Sequence, residues 1–340
     1  MNRLLLGTAL AALPMTAAAQ DLSVVGSWSG LPLHKQYEAP FWSETLPAAT
    51  GLEVALTTHD QMGLGVGDVF RLLGDGVYDV AMTVADYAVA DAPELEGLDV
   101  PMIATDAATA RAMVEAARPM VEDIFADRFN AKALAIAPYP PQVVFCNAEI
   151  AGLDDLAGKK IRASGRMTAK FLEALGAEGV NVSFSEVPGA LQKGVVDCAV
   201  TGAGSGYSAG WWEVSTHLLP IPLGGWDSVV TAMNMDKWNG LDAETQTAIQ
   251  DAVRGQFEDA AWATAQDALV QDIACLTGNG ECAAGDARSM VLVEATEADT
   301  ARARDILLTE VLPDWAERAG GDWKDRWNAS VGEAVGVSIE

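Results

Sequence analysis

The chain has 340 residues, with 21 Lys+Arg against 48 Asp+Glu, a formal net charge of −27, and half of its residues are hydrophobic. That composition excludes a disordered, collagenous or multi-span protein, and the length suits two domains. So acidic a surface repels phosphate backbones and anionic headgroups, which argues against nucleic acid and membrane-surface partners; beyond the first residues no apolar run of membrane length occurs, so no stable membrane insertion is expected.

Residues 1–19 carry a short positive start (Met1-Asn2-Arg3), an apolar stretch over 4–13 and the small residues Ala17-Ala18-Ala19. The apolar stretch is shorter than the ~20 residues of a spanning helix. The pattern predicts a secretory signal peptide cut after Ala19, hence a mature protein in a periplasm.

Short strands and helical patterns then alternate. Strands are expected at residues 22–25, 53–57 and 78–83, with helices at 34–45, 67–73 and 106–128. Past an extended boundary near 138–142, strands are expected at 142–146, 160–163, 181–184, 197–201 and 228–233. Helices are expected at 168–175, 187–193, 208–218 and, nearly unbroken, 242–275. This alternation argues an α/β architecture.

Four cysteines fit an oxidising compartment. Cys275 and Cys282 flank a turn-like segment able to close a small loop. Cys146 and Cys198 each lie in a β-like run, and bridge if their Cα atoms come within ~7 Å; two buried thiols are the alternative. No CxxC occurs, and the histidines are His34, His59 and His217 alone, a poor set for zinc.

Three motifs bear on chemistry. Gly206-Tyr207-Ser208-Ala209-Gly210 matches the nucleophile elbow G-x-S-x-G, but the one later histidine, His217, falls in the same expected helix. A secreted serine hydrolase using Ser208 is therefore the runner-up reading. Gly204 to Ala209 also fits a loose dinucleotide fingerprint with Asp227 downstream. The strand it requires, at 219–223, holds Pro220 and Pro222, which a central strand tolerates badly. The third motif is Gly158-Lys159-Lys160-Ile161-Arg162-Ala163-Ser164, basic in a chain poor in positive charge. An arginine at a strand end facing a cleft suits a carboxylate, because its planar fork donates two charge-assisted bonds.

The run from Ile150 to Arg162 resembles the central signature of substrate-binding subunits of TRAP (tripartite ATP-independent periplasmic) transporters, the DctP family. The resemblance continues in Phe184-Ser185-Glu186-Val187, Ala190-Leu191-Gln192, Gly194-Val195-Val196-Asp197 and Glu213-Val214. Upstream it includes Gln61-Met62-Gly63, Gly76 to Ala81 and Ala92-Pro93-Glu94-Leu95.

The resemblance implies a two-lobed, type II-like periplasmic-binding-protein fold with a hinge and a long C-terminal helix spanning both lobes. Lobe I would comprise 20–141 plus about 225–275, and lobe II 142–224 plus about 276–340. It implies a monomeric carrier, not an enzyme, without cofactor or metal, that captures a small organic acid and passes it to a TRAP permease. Arg162 would bind the ligand carboxylate, with Gln142 and Thr201 beside it. Trp28, Thr83 and Tyr87 would contribute from the other lobe, with Trp226 and Ser164 completing the pocket.

Overall fold

A computed structural model describes residues 22–340, and the expected signal peptide at 1–19 lies outside the described residues. Among the described residues eleven strands form two sheets. The first has the order β2 (Val54–Thr58), β1 (Leu22–Gly26), β3 (Val80–Val84), β10 (Val229–Asn234), β4 (Ala131–Ala137). In it β1 runs parallel to β2 and β3, and β10 runs antiparallel to β3 and β4. The second has the order β11 (Val291–Leu292), β9 (His217–Gly224), β5 (Gln142–Cys146), β8 (Cys198–Gly202), β6 (Lys160–Ala163), β7 (Glu178–Asn181).

The central strands β3, β5, β8 and β10 are buried along their whole lengths. Their continuous apolar runs reflect helices covering both faces. The helix α1 (Ala107–Phe129) begins where Asp106 accepts the Thr109 amide at 2.8 Å and ends at Asn130, whose left-handed backbone closes the cap. Its buried residues Ala110, Met113, Val114, Ala117, Val121, Ile124 and Phe125 follow helical spacing.

Two short connections pass between the sheets, one from β4 to β5 and one from β9 to β10. They run side by side: the Tyr139 amide donates to Trp226 O at 3.0 Å and the Gln142 amide to Gly225 O at 3.2 Å. A third link is helical, running from Ala243–Ala252 through a wider turn at Val253–Glu258 into Asp259–Thr277. Its start packs Ile249 and Phe257 in the core of the first sheet, and its end places Leu276 in the core of the second. The tail then returns to the segment after β3: Trp315 and Trp327 donate their indole N–H groups to Pro93 O and Gly97 O, at 3.1 and 3.0 Å.

Two expectations need correction, and the cysteine pairing left open above is decided. The helix expected at 208–218 is not there: a short helix ends at Ser208, a single turn follows at Trp211–Glu213, and residues 217–218 open the strand β9, which includes Pro220 and Pro222. Its pairing with β5 is irregular in this stretch, and β11 faces only His217 and Leu218, so neither proline, which lacks an N–H, occupies a position where a ladder donor is required. Strand β7 lies at Glu178–Asn181, not 181–184, and β4 had no counterpart in the sequence reading. Both cysteine pairs are disulfides: Cys146 and Cys198 face each other across β5 and β8 with Cα atoms 4.0 Å apart, and Cys275 joins Cys282.

Candidate functional site

Strand β6 alternates Ile161 and Ala163 with Arg162, and burial leaves Arg162 only 2% exposed. Its Nε donates to Val182 O at 3.0 Å, and its Nη1 donates to Val200 O of the adjacent β8 at 2.7 Å. Two carbonyls of neighbouring segments therefore hold the guanidinium plane. Among the described residues no carboxylate forms an ion pair with it. A buried cation oriented by neutral carbonyls retains its charge and unused N–H groups for an anion.

Arg162 lines a cavity between the two sheets. Trp28, Leu31, Val84, Tyr87 and Tyr139 face it from the first sheet's side, and Phe184, Thr201 and Ser205 from the second's. Its volume is about 20 Å³, room for about one water. Trp28 and Phe184, from opposite sides, close it with ring centroids 6.0 Å apart. Beyond this contact lies a groove of about 640 Å³, lined by His59, Asp60 and Pro188 and sharing Trp28, Tyr87 and Phe184 with the cavity. Trp28 is steadied by edge contact with His59 at 4.5 Å. Burial holds His59 down to about 4, against the pull of Asp60, so His59 is neutral at pH 7.

An acidic group borders the same cavity. Asp227, on the β9–β10 connection, lines it directly. Its amide donates to Asp99 Oδ1 at 2.8 Å, and its Oδ1 accepts from Gln142 Nε2 at 2.9 Å. Burial, then the Asp99 and Asp86 carboxylates, raise the Asp227 carboxyl well above the usual range, and Arg162 opposes them. Burial lifts Asp99 to about 6, against hydrogen bonds from the Asp227 and Gly225 amides. Burial likewise raises Asp86, with Asp99 and Glu96 adding to it. Burial pushes the Tyr87 hydroxyl up to about 12, although Arg162 beside it pulls the other way.

The expected site residues divide into two groups. Arg162, Thr201, Trp28 and Tyr87 meet at the cavity. The other four stand apart from its lining. Gln142 turns its amide to Asp227 and, at 3.5 Å, to Asp99, so it positions an acid. Trp226 is buried, donates to Ala104 O at 2.7 Å and stacks on Trp262. Thr83 is fully buried beneath the site, with its hydroxyl unpartnered. Ser164 points its hydroxyl toward Thr168 at 3.4 Å, along the helix α2 (Arg166–Ala174). The sequence reading missed Asp227, Tyr139, Phe184, Leu31, Val84 and Ser205. Placement of Tyr139 and Asp227 on the two connections was the available signal, since a cleft between lobes opens at its crossings.

Ser208 ends the short helix Ala203–Ser208, while His217 lies on β9 and its Nδ1 pairs with the Thr216 hydroxyl at 2.8 Å. Among the described residues no histidine is hydrogen-bonded to Ser208. No helix among them is long and apolar enough to cross a membrane.

The family described as bacterial extracellular solute-binding protein, family 7 (DctP) matches residues 32–303. The ectoine-binding periplasmic protein TeaA of Halomonas elongata is 30% identical over 126 residues, which span 37% of this chain and 37% of that protein. Among solved structures, DctP7 of Bordetella pertussis, an extracytoplasmic solute receptor binding pyroglutamic acid, superposes with a TM-score of 0.79. It is 23% identical, with 92% of this chain and 99% of that one covered. A TRAP periplasmic solute-binding protein from Shewanella oneidensis with bound succinate gives a TM-score of 0.78 at 17% identity, covering 94% and 99%.

Proposed function

From the chain's membership of family 7 of the bacterial extracellular solute-binding proteins, we propose that it captures a small organic acid outside the cytoplasm and delivers it to a TRAP-type permease. The observation that carries this reading is Arg162, a buried guanidinium held by two backbone carbonyls in a cleft between sheets, without an acidic partner among the described residues. The ligand carboxylate takes that partner's place. Solute receptors of the same fold hold pyroglutamate and succinate, which supports a compact carboxylate as cargo.

The chain is exported by residues 1–19 and works as a monomer of two lobes, 20–141 with about 225–275 and 142–224 with about 276–340. The acid enters with the lobes apart. Closure brings Trp28 and Tyr87 over it, seats its carboxylate on Arg162 beside Thr201, and removes water from the charge pair, which strengthens the attraction. The closed shape is the signal that a permease recognises. Its role is that of a carrier rather than a catalyst, a reading supported by its membership of a family of solute-binding proteins. Gln142, Thr83, Ser164 and Trp226 act behind the surface, Gln142 and Trp226 by fixing the crossing segments.

A thermal-shift and calorimetric screen of residues 20–340 against small carboxylic acids tests this. Stabilisation by one acid class, lost in Arg162→Ala, is the expected result. At 100 times the dissociation constant the stabilisation is ~2.7 kcal/mol. Equal binding by the variant, or no response to any acid, overturns it.

A further inference from the structure

We propose that the acid carried in this cleft also bears an N–H donor, and that Asp227 selects for it opposite Arg162. The inference rests on the carboxylate reading above and names the second half of the ligand. Asp227 lines the cavity that Arg162 lines. The chain holds it there from two sides, through its amide to Asp99 Oδ1 and through its Oδ1 from Gln142. It also adopts a left-handed backbone, φ +40°, one of three non-glycine residues among those described to do so. Aspartate takes this conformation more readily than most side chains do, and the crossing segment and its bonds hold it there.

One carboxylate oxygen is thereby committed, and among the described residues Oδ2 accepts no hydrogen bond. Tyr87, Thr201 and Ser205 also line the cavity, and among the described residues none of their hydroxyls is hydrogen-bonded to it. Trp28, Leu31 and Phe184 present apolar faces, and the Tyr139 hydroxyl is 3.2 Å from Ser27 Oγ. Asp227 is half-buried, so this oxygen opens on the cleft rather than on the core. An occupant that donates a hydrogen bond can reach it.

The charge balance argues the same way. Arg162 is one cation, whereas Asp227, Asp99 and Asp86 are three carboxyl groups within electrostatic reach of one another. Glu96 adds to them but is paired with Arg318. An occupant carrying only negative charge answers Arg162 and leaves Asp227 facing a second anion or retaining a proton. An occupant with a carboxylate at one end and an N–H at the other satisfies both. Cyclic acids with a ring nitrogen, whether lactam or ammonium, have this layout and fit between Trp28, Tyr87 and Phe184. An aromatic wall also attracts the positive edge of such a nitrogen.

The experiment uses residues 20–340 and two matched pairs. One pair is pyroglutamate and 3-oxocyclopentane-1-carboxylate; the other is proline and cyclopentanecarboxylate. The first pair differs in a neutral N–H against CH₂ and the second in an ammonium NH₂⁺ against CH₂. Succinate is the dicarboxylate control. Affinities are measured by calorimetry for the wild type, Asp227→Asn and Asp227→Leu, with Arg162→Ala in parallel. Asn tolerates the left-handed backbone, so it guards against loss of folding in the Leu variant. In at least one pair the nitrogen acid binds the wild type about tenfold or more tighter than its carbocyclic partner, the scale of one charge-assisted bond. In both Asp227 variants that ratio collapses toward one. Equal binding within both pairs, a preference for succinate, or a ratio unchanged in the variants overturns the role of Asp227. In those cases loss of binding in Arg162→Ala leaves the carboxylate reading standing. Binding of no acid, or of acids regardless of Arg162, fails both.

Discussion

The Asp86 carboxylate, on the segment after β3, lies directly against Gly165, on the turn after β6 in the other sheet; a Cβ at residue 165 would overlap it. Gly165 has an extended backbone that any residue adopts, so glycine is required here by closeness rather than by conformation. Gly165→Ala is expected to hold the two halves apart. The folded protein should keep its thermal midpoint within a few degrees while losing ligand affinity by about tenfold or more. Scattering profiles with and without a bound acid check this, and a variant that compacts as the wild type does would refute it.

Arg162 is expected to resist conservative replacement. Its Nε and Nη1 are spent on Val182 O and Val200 O, so the guanidinium plane is set before any ligand arrives. Arg162→Ala should cost ~2–5 kcal/mol of binding, the range for breaking a desolvated charge pair. Arg162→Lys should lose most of the same amount, because an ammonium cannot satisfy both carbonyls and still offer a fork. Calorimetry on both variants decides; a lysine variant within threefold of wild type would remove the case for a fixed plane.

The sequence made Arg162 legible because strand β6 carries its own punctuation, a glycine turn before it and a helix start after it, and its bounds match the expectation. Strand β5 and the long helix ending at Thr277 were legible for the same local reasons. Strand β4, Ala-Lys-Ala-Leu-Ala-Ile-Ala, was not, since alanine favours helices and only pairing with β10 makes this run extended. Asp227 was hidden by number: among 48 acidic residues a ligand-facing carboxylate has no local mark. Gln142 was found in the right place with a different partner. Its strand position follows from local pattern, but its contact with Asp227 is 85 residues away in sequence.

The two disulfides should differ in worth. Cys146–Cys198 closes a separation of 52 residues and Cys275–Cys282 one of 7. In the chain-entropy view the first is worth about 4 kcal/mol and the second about 2.5. Cys146→Ala with Cys198→Ala should therefore lower the denaturant midpoint more than the corresponding pair at 275 and 282. The reverse order in urea titrations would place the stabilisation outside loop closure.

Stability should fall between pH 5 and pH 7.5. Burial raises Asp99 and Asp272 to about 6 and lifts Asp86, Asp227, Glu96 and Glu258 in the same direction. Unfolded carboxyls titrate near ~4, so the folded state holds more protons in this window and loses stability as they leave. Glu115, held down to about 2 by Arg118, works oppositely and loses its contribution only in stronger acid. Asp272 does not line the Arg162 cavity and accepts from the Gly204 amide. Asp272→Asn should flatten the profile by on the order of 2 kcal/mol. Midpoints that rise from pH 5 to 7.5 would contradict the assignment.

The two short connections between the sheets are bonded to each other, and they supply Tyr139 and Asp227 to the cavity wall. An occupant of the cleft therefore grips the axle as well as the jaws. Paired straps of this kind turn about a single line, and the angle at which they come to rest depends on what is wedged against them. Two acids held with equal tenacity can leave the jaws at different angles, one that a permease accepts and one that it ignores. Tightness of capture and success of delivery are then separate properties of the cargo, and an acid that binds without being passed on acts as a plug.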